Sequence, residues 1–488
     1  MTRRGVLALD LGSSSVRAGL VGADGELLVA GVRRPYRLET AADGRSQVDA
    51  DELVRLLASA IDEALAVMPP GLELAGVAMS TMWHSVCGVD RYGRATTPVL
   101  TWADRRASQD ARDLRERIDE RAFHRRTGCT LHPSYLPARL RWLARTQPGV
   151  VERTAGWVSP GEYALLRFCG AARVSTSMAS GTGLLDLRRD DWDAEALGAA
   201  GIDAWHLAEL SDAPLDGLRG DWATRWPALT RLPWFPAVGD GACSNLGCGA
   251  LGTGRAALMV GTSGALRVAW RGEAVDPPEG LWCYRAGGGR FVMGGALSNG
   301  GNVAGWVRDT LRLPGDDLDA AEAAIAGMTP LATGLTVLPL LAGERGPGYA
   351  DDARGAVAGL SLATTPLDLL RATLEGVAMR FALVSDLLEG ALPGTDEILA
   401  TGAGMRRSPA WRQIMADALG RPVTESLVDE ASTRGAGLLA LEALGEIESV
   451  ESVGAPAGAT LAPDPQRHAA YREAMERQAA LYDLTVGG

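Results

Sequence analysis

The sequence predicts an α/β protein of two domains that repeat one pattern around a cleft. Three observations carry this expectation. Residues Val6 to Leu28 read as apolar strands around a turn of small residues, with a helix behind them. A second strand pair around a similar turn begins past the middle of the chain, at Ala257. The C-terminal half then adds a strand, a glycine turn and a helix between Ile398 and Gly420.

Each element has a local reason. Val6-Leu7-Ala8-Leu9 is a continuous apolar run that ends at Asp10, Gly12-Ser13-Ser14-Ser15 turns the chain, and Val16, Ala18 and Leu20 alternate. Asp24-Gly25 turns it again into Leu27-Leu28-Val29. Asp49 caps the first helix, with Glu52 three residues on as in a capping box, and Leu53, Leu56, Leu57, Ile61 and Leu65 form one apolar face. Ala257-Leu258-Met259-Val260 leads through Gly261-Thr262-Ser263-Gly264 into Leu266 to Trp270, which echoes the N-terminal hairpin; chance similarity of short hairpins would give the same echo. Thr365 caps a helix with Pro366 in its first turn and Leu370, Leu374, Val377, Phe381 and Val384 along one side. Ile398 to Thr401 is strand-like, Gly402-Ala403-Gly404 is a tight turn, and the next helix runs from Ser408 and Pro409 to Gly420.

A chain of 488 residues exceeds one compact core. Its net charge of −12 argues against a nucleic-acid partner, whose phosphates reward a basic surface. No apolar run reaches the roughly 18 residues that span a bilayer, and the apolar stretch behind Arg3-Arg4 is broken at Asp10, so the expectation is a cytoplasmic protein without a membrane partner. Cys87, Cys129, Cys169, Cys243, Cys248 and Cys283 lack the paired spacings of a zinc site and are expected as buried thiols. All 48 basic residues are arginine, which excludes a Walker lysine and any Schiff-base mechanism. Phosphate chemistry here would rest on backbone N–H groups, hydroxyls, arginine and a metal ion.

Two carboxylates are candidates for such chemistry. Asp10 ends a buried strand before a turn whose N–H groups and hydroxyls can wrap a phosphate, and a carboxylate there suits magnesium. It also fits an aspartate that only caps its own turn. Asp240 stands between Gly239 and Gly241, just upstream of the second Gly-Ser turn, where phosphoryl transfer would need a base to orient the acceptor. By itself the segment could be a simple turn.

Over nearly its full length the chain resembles the FGGY carbohydrate kinases. Asp10 to Ser15 (DLGSSS) looks like that family's first phosphate motif, and Gly239 to Gly247 (GDGACSNLG) like the segment with its catalytic aspartate. Gly261 to Gly264 looks like its second phosphate turn, Gly343 to Leu360 like a family signature, and Thr401 to Val423 like its adenosine-binding turn and helix. Within the family the likeness is nearest to gluconokinases, through Thr101 to Arg106, Arg126 to Cys129 with His132 to Tyr135, the run Gly261 to Arg267, Trp282 to Tyr284, and Gly294 to Ala296 with Asn299 to Gly301. Trp83 stands where related kinases more often have Met, Arg139 where they often have Lys, and Ser13 where they often have Thr.

The resemblance implies two actin-like, ribonuclease H-like domains with the active site in the cleft between them: residues 1–245 for the sugar and 246–488 for the nucleotide. It implies ATP with Mg²⁺, held through water by Asp10 and Asp240, and Asp240 as a base of ordinary pKa, ~4, that takes the acceptor's proton late in a loose transfer. Trp83, His84, Trp102, Asp104, Arg105 and Asp240 are its implied sugar contacts. Gly12, Ser13, Ser14, Ser15, Gly261, Thr262, Ser263, Gly402, Ala403, Gly404 and Arg406 are its implied nucleotide contacts. The implied reaction is phosphorylation of D-gluconate to 6-phosphogluconate, and a homodimer is compatible with the likeness. A pentose or pentitol kinase such as a xylulokinase is the nearer alternative. An actin-like ATPase acting on a protein client is the more distant one.

Overall fold

The computed structural model describes residues 3–486 except 312 and 314–317. The N-terminal sheet is built from β1 (Arg3–Leu11), β2 (Ser15–Gly22) and β3 (Leu27–Pro35), joined as antiparallel neighbours. Helix α1 (Ala50–Ala66) crosses over to β4 (Leu72–Thr81), which runs parallel to β1 on its other side. Asp49 caps α1 by accepting the Glu52 N–H at 2.7 Å, and Leu53, Leu57 and Ile61 are buried. Two short strands, β5 (Pro233–Trp234) and β6 (Val238–Gly239), lie parallel to β4. Helix α2 (Asp240–Cys248) then leads to the second sheet.

That sheet repeats the pattern. β7 (Arg255–Val260) and β8 (Gly264–Arg271) form the second hairpin, β9 (Trp282–Gly287) and β10 (Arg290–Leu297) extend it antiparallel, and β11 (Glu397–Thr401) runs parallel to β7. β12 (Val423–Ser426) and β13 (Ala457–Leu461) complete the order β9-β10-β8-β7-β11-β12-β13. The runs β3-β2-β1-β4 and β10-β8-β7-β11 have the same order and the same strand senses, so the echo between the hairpins is a duplication. Helices α3 (Pro366–Ala391), α4 (Ala403–Arg407) and α5 (Pro409–Leu419) follow in the second half, and the apolar sides of α3 and α5 build its core. The Thr365 cap is a full capping box with Asp368.

One helix departs from chain order. α6 (Ala431–Ala443) follows β12, yet its Ala436, Leu438, Ala440 and Leu441 belong to the core under the first sheet. It crosses α2 at two glycines with no room between the backbones. A Cβ on Gly435 would lie 1.9 Å from the Cys243 carbonyl oxygen, and one on Gly247 would lie 1.8 Å from that of Ala431. Buried Arg434 ties this junction by donating to the carbonyls of Gly25 (2.7 Å), Gly247 (2.6 Å) and Gly454 (2.6 Å).

A second junction runs along one side of the cleft. The Cys283 N–H donates to the Gly128 carbonyl at 3.0 Å, His124 Nε2 donates to that of Leu281 at 2.8 Å, and the hydroxyls of Tyr135 and Tyr284 meet at 2.5 Å. The six cysteines are free and buried. Among the described residues no helix is long and apolar enough to cross a membrane.

Candidate active site

The two hairpins place their turns on one cleft. In the first turn the Gly12 N–H donates to the Ser15 carbonyl at 3.1 Å, and in the second the Gly261 N–H donates to that of Ser263 at 2.9 Å. Ser13 and Ser263 both line the cleft, while Ser14 and Thr262 are exposed beside them. Ser15, expected at the nucleotide, is the fully buried first residue of β2, and its Oγ accepts the Arg33 Nε–H at 3.0 Å. The hydroxyl is consumed inside the fold. Gly402, at φ 89°, lets α4 start against the end of β7, where a Cβ would lie 2.5 Å from the Val260 carbonyl oxygen. The Gly402-Ala403-Gly404 turn thus abuts the Gly261 turn. Arg406 is ion-paired to Asp429.

Strand register brings the carboxylates together. Asp10 on β1 is level with Ser80 on β4, and Gly239 on β6 is level with Thr81, so Asp240 enters the same end of the sheet as the first residue of α2. It is half-buried, not on an exposed turn. Its Oδ1 accepts the Gly241 N–H at 2.9 Å. The flanking glycines make room for Trp83: a Cβ on Gly239 would lie 1.9 Å from its Cε2, and one on Gly241 2.6 Å from its Cζ3. Trp83 is fixed by donating Nε1–H to the Ser177 carbonyl at 3.0 Å. Trp282 and Tyr284 stack at 4.4 Å and 7°, with Trp83 set 62° to Tyr284, so indole and phenol faces wall the cleft.

The charges set the chemistry. Asp10 is 1% exposed; its Oδ2 accepts from Arg17 Nη1 at 2.6 Å, and its Oδ1 has no hydrogen-bond partner. Burial, and then the charge of Asp10, push the Asp240 carboxyl up to about 6, while Arg267 pulls it back. The ordinary value expected from the sequence is therefore too low. Arg267 is oriented by Asn245, whose Oδ1 accepts the Nε–H at 3.1 Å. Among the described residues no three acidic, His or Cys side chains gather into a cage. Mg²⁺ needs only one or two carboxylates beside phosphate oxygens, and the unsatisfied Asp10 oxygen with Asp240 fits that demand.

The sugar contacts expected from the sequence divide. His84 lines the cleft at φ 61°, with Nδ1 2.5 Å from the Gly181 carbonyl oxygen. Nδ1 therefore carries the proton and Nε2 is left as an acceptor. Burial, and then Arg345, hold the ring neutral. Arg139 is fully buried and gives its donors to the carbonyls of His84, Leu100 and Thr101, so it braces this segment. Trp102 lines the cleft with the Arg345 guanidinium 5.1 Å over its ring. Asp104 and Arg105 do not line it. Asp104 is buried, with its oxygens accepting from the Ser46 N–H (3.0 Å) and Arg106 (2.6 Å), and exposed Arg105 donates to the Asp351 carbonyl at 3.1 Å. Arg267, Trp282, Tyr284 and Arg345 also line the cleft; the sequence showed them only within family-like motifs and gave them no role of their own. For Arg267 the available signal was an arginine inside an otherwise apolar strand.

Two family profiles and several known proteins match the chain. The profile of the FGGY family of carbohydrate kinases, N-terminal domain, matches residues 5–247, and that of the C-terminal domain matches 256–444. The gluconokinase of Bacillus licheniformis is 30% identical over 495 residues, covering 99% of this chain and 94% of the relative. The xylulose kinase of Lactococcus lactis subsp. lactis is 25% identical over 489 residues, covering 98% and 97%. The crystal structure of gluconate kinase from Lactobacillus acidophilus superposes with a TM-score of 0.91 at 26% identity, covering 99% of this chain and 98% of that one. The chain belongs to the FGGY family of carbohydrate kinases.

Proposed function

We propose that the protein transfers the γ-phosphoryl group of ATP to the 6-hydroxyl of D-gluconate, giving 6-phosphogluconate. The observation that carries this reading is a single cleft that joins a carboxyl titrating at about 6, two Gly-Ser turns of matched build and an aromatic wall. Above that pH, Asp240 is ionised and accepts the hydrogen bond of the acceptor hydroxyl, orienting the oxygen for in-line attack and taking its proton as the new P–O bond forms. The N–H groups and hydroxyls at Ser13 and Ser263 surround the moving phosphoryl, a role that needs no lysine. Asp10 and Asp240 would hold Mg²⁺ through water, and the ion would offset phosphate charge. Trp83, Trp282 and Tyr284 offer π faces to the C–H surface of the acceptor, while His84 offers an acceptor nitrogen to one of its hydroxyls. Arg345, which has no counter-ion among the described residues, favours an anionic acceptor, and the gluconokinase relatives support the same choice.

The test is a coupled ADP-release assay with D-gluconate, L-gluconate, D-xylulose, L-ribulose, glycerol and erythritol. The highest kcat/KM is expected for D-gluconate. Equal or better use of D-xylulose would overturn the gluconate reading and leave the kinase in place.

A further inference from the structure

Two arginines line the cleft, and they differ. Arg267 is bonded to Asn245 and lies against Gly241, next to Asp240. Arg345, half-buried, forms no ion pair among the described residues. Stacking on Trp102 recovers only part of what a cation loses on leaving water. The backbone that carries it is fixed on both sides. Glu344 turns away to pair with Arg380 and accept the Tyr482 hydroxyl at 2.6 Å, and the Gly346 N–H donates to the Ala296 carbonyl at 2.8 Å.

Arg345 is held over Trp102, whereas the side chains packed against the glycines that flank Asp240 are those of Trp83 and Arg267. An acceptor phosphorylated at one end and ionised at the other matches that layout. We propose that Arg345 receives the carboxylate of the acceptor and is the residue by which the cleft distinguishes a sugar acid from the neutral polyol of equal length. The planar fork, held flat on Trp102, presents paired N–H donors to the two oxygens. This rests on the reading of the site as a sugar-acid kinase.

The experiment compares kcat/KM for D-gluconate and for D-glucitol, which has a hydroxymethyl group in place of the carboxylate, in wild type, Arg345→Gln and Arg345→Met. Melting curves accompany each protein. The methionine variant keeps an apolar stem on Trp102, so either neutral variant that folds serves. Wild type is expected to prefer the acid, and in the variants the acid-to-alcohol ratio should fall by about a hundredfold. The loss should lie mainly in KM for the acid, since a contact at the unreacting end is alike before and during transfer. A folded variant that keeps the wild-type ratio would overturn the role of Arg345 alone. Wild type that uses the acid no better than the alcohol would overturn the substrate reading, and Arg345's role with it.

Discussion

Asp240 is useful as a base only over the pH range where it is ionised, and its surroundings set that range. Burial and Asp10 hold it at about 6, so kcat/KM should fall about tenfold per pH unit below that value. A limb at ~4, where free aspartate titrates, would show that Asp240 is not the group being read. The stability effect has the opposite sense. The folded chain binds this proton more tightly than the unfolded one, so the stability it contributes is present below pH ~4 and lost as the pH rises through about 6. Asparagine cannot ionise. Asp240→Asn should therefore lose ~10² to 10⁴ of kcat while melting at or above the wild-type temperature at neutral pH. A kcat within about tenfold of wild type would remove Asp240 from the mechanism. At this scale the motif positions of Asp240, His84 and Trp102 are legible in sequence. Asp104 and Arg105 are not separable from Trp102 there, because which side of a turn faces the cleft depends on partners such as Ser46, Arg106 and Asp351, which are remote or on the turn itself.

Elements with local causes are legible, and elements placed by distant partners are not. The strand-turn-strand units and the capped helices at Asp49, Thr365 and Ser408 follow from patterns a few residues long. Nothing within α6 says that it covers the sheet at the other end of the chain. That placement depends on Gly435 and Gly247, whose missing side chains admit the crossing with α2. Gly435→Ala would press a Cβ into a backbone oxygen that no rotamer change can move. It should cost about 3 kcal/mol in denaturant unfolding, and should lower kcat as well because α2 starts at Asp240. Gly390→Ala, at an exposed helical position with open space around it, should instead stabilise by about 0.5 kcal/mol or more. Equal effects at the two sites would refute the crossing.

For the whole molecule, the repeated strand-turn-strand pattern makes two domains around one cleft legible in outline, but the junctions between them appear only in three dimensions. Cys129 and Cys283 lie along the junction where the Cys283 N–H meets the Gly128 carbonyl. Burial pushes the Cys283 thiol up to about 12 and raises that of Cys129 as well. An alkylating reagent therefore meets sulfur that is neither reachable nor ionised while the two sides stay together. These two thiols are built-in clocks for the parting of the halves: their labelling, followed by peptide mass, should proceed no faster than the junction opens. Nucleotide and acceptor bound together in the cleft should slow that clock, whereas rapid labelling indifferent to ligand would mean that the junction breathes freely during turnover.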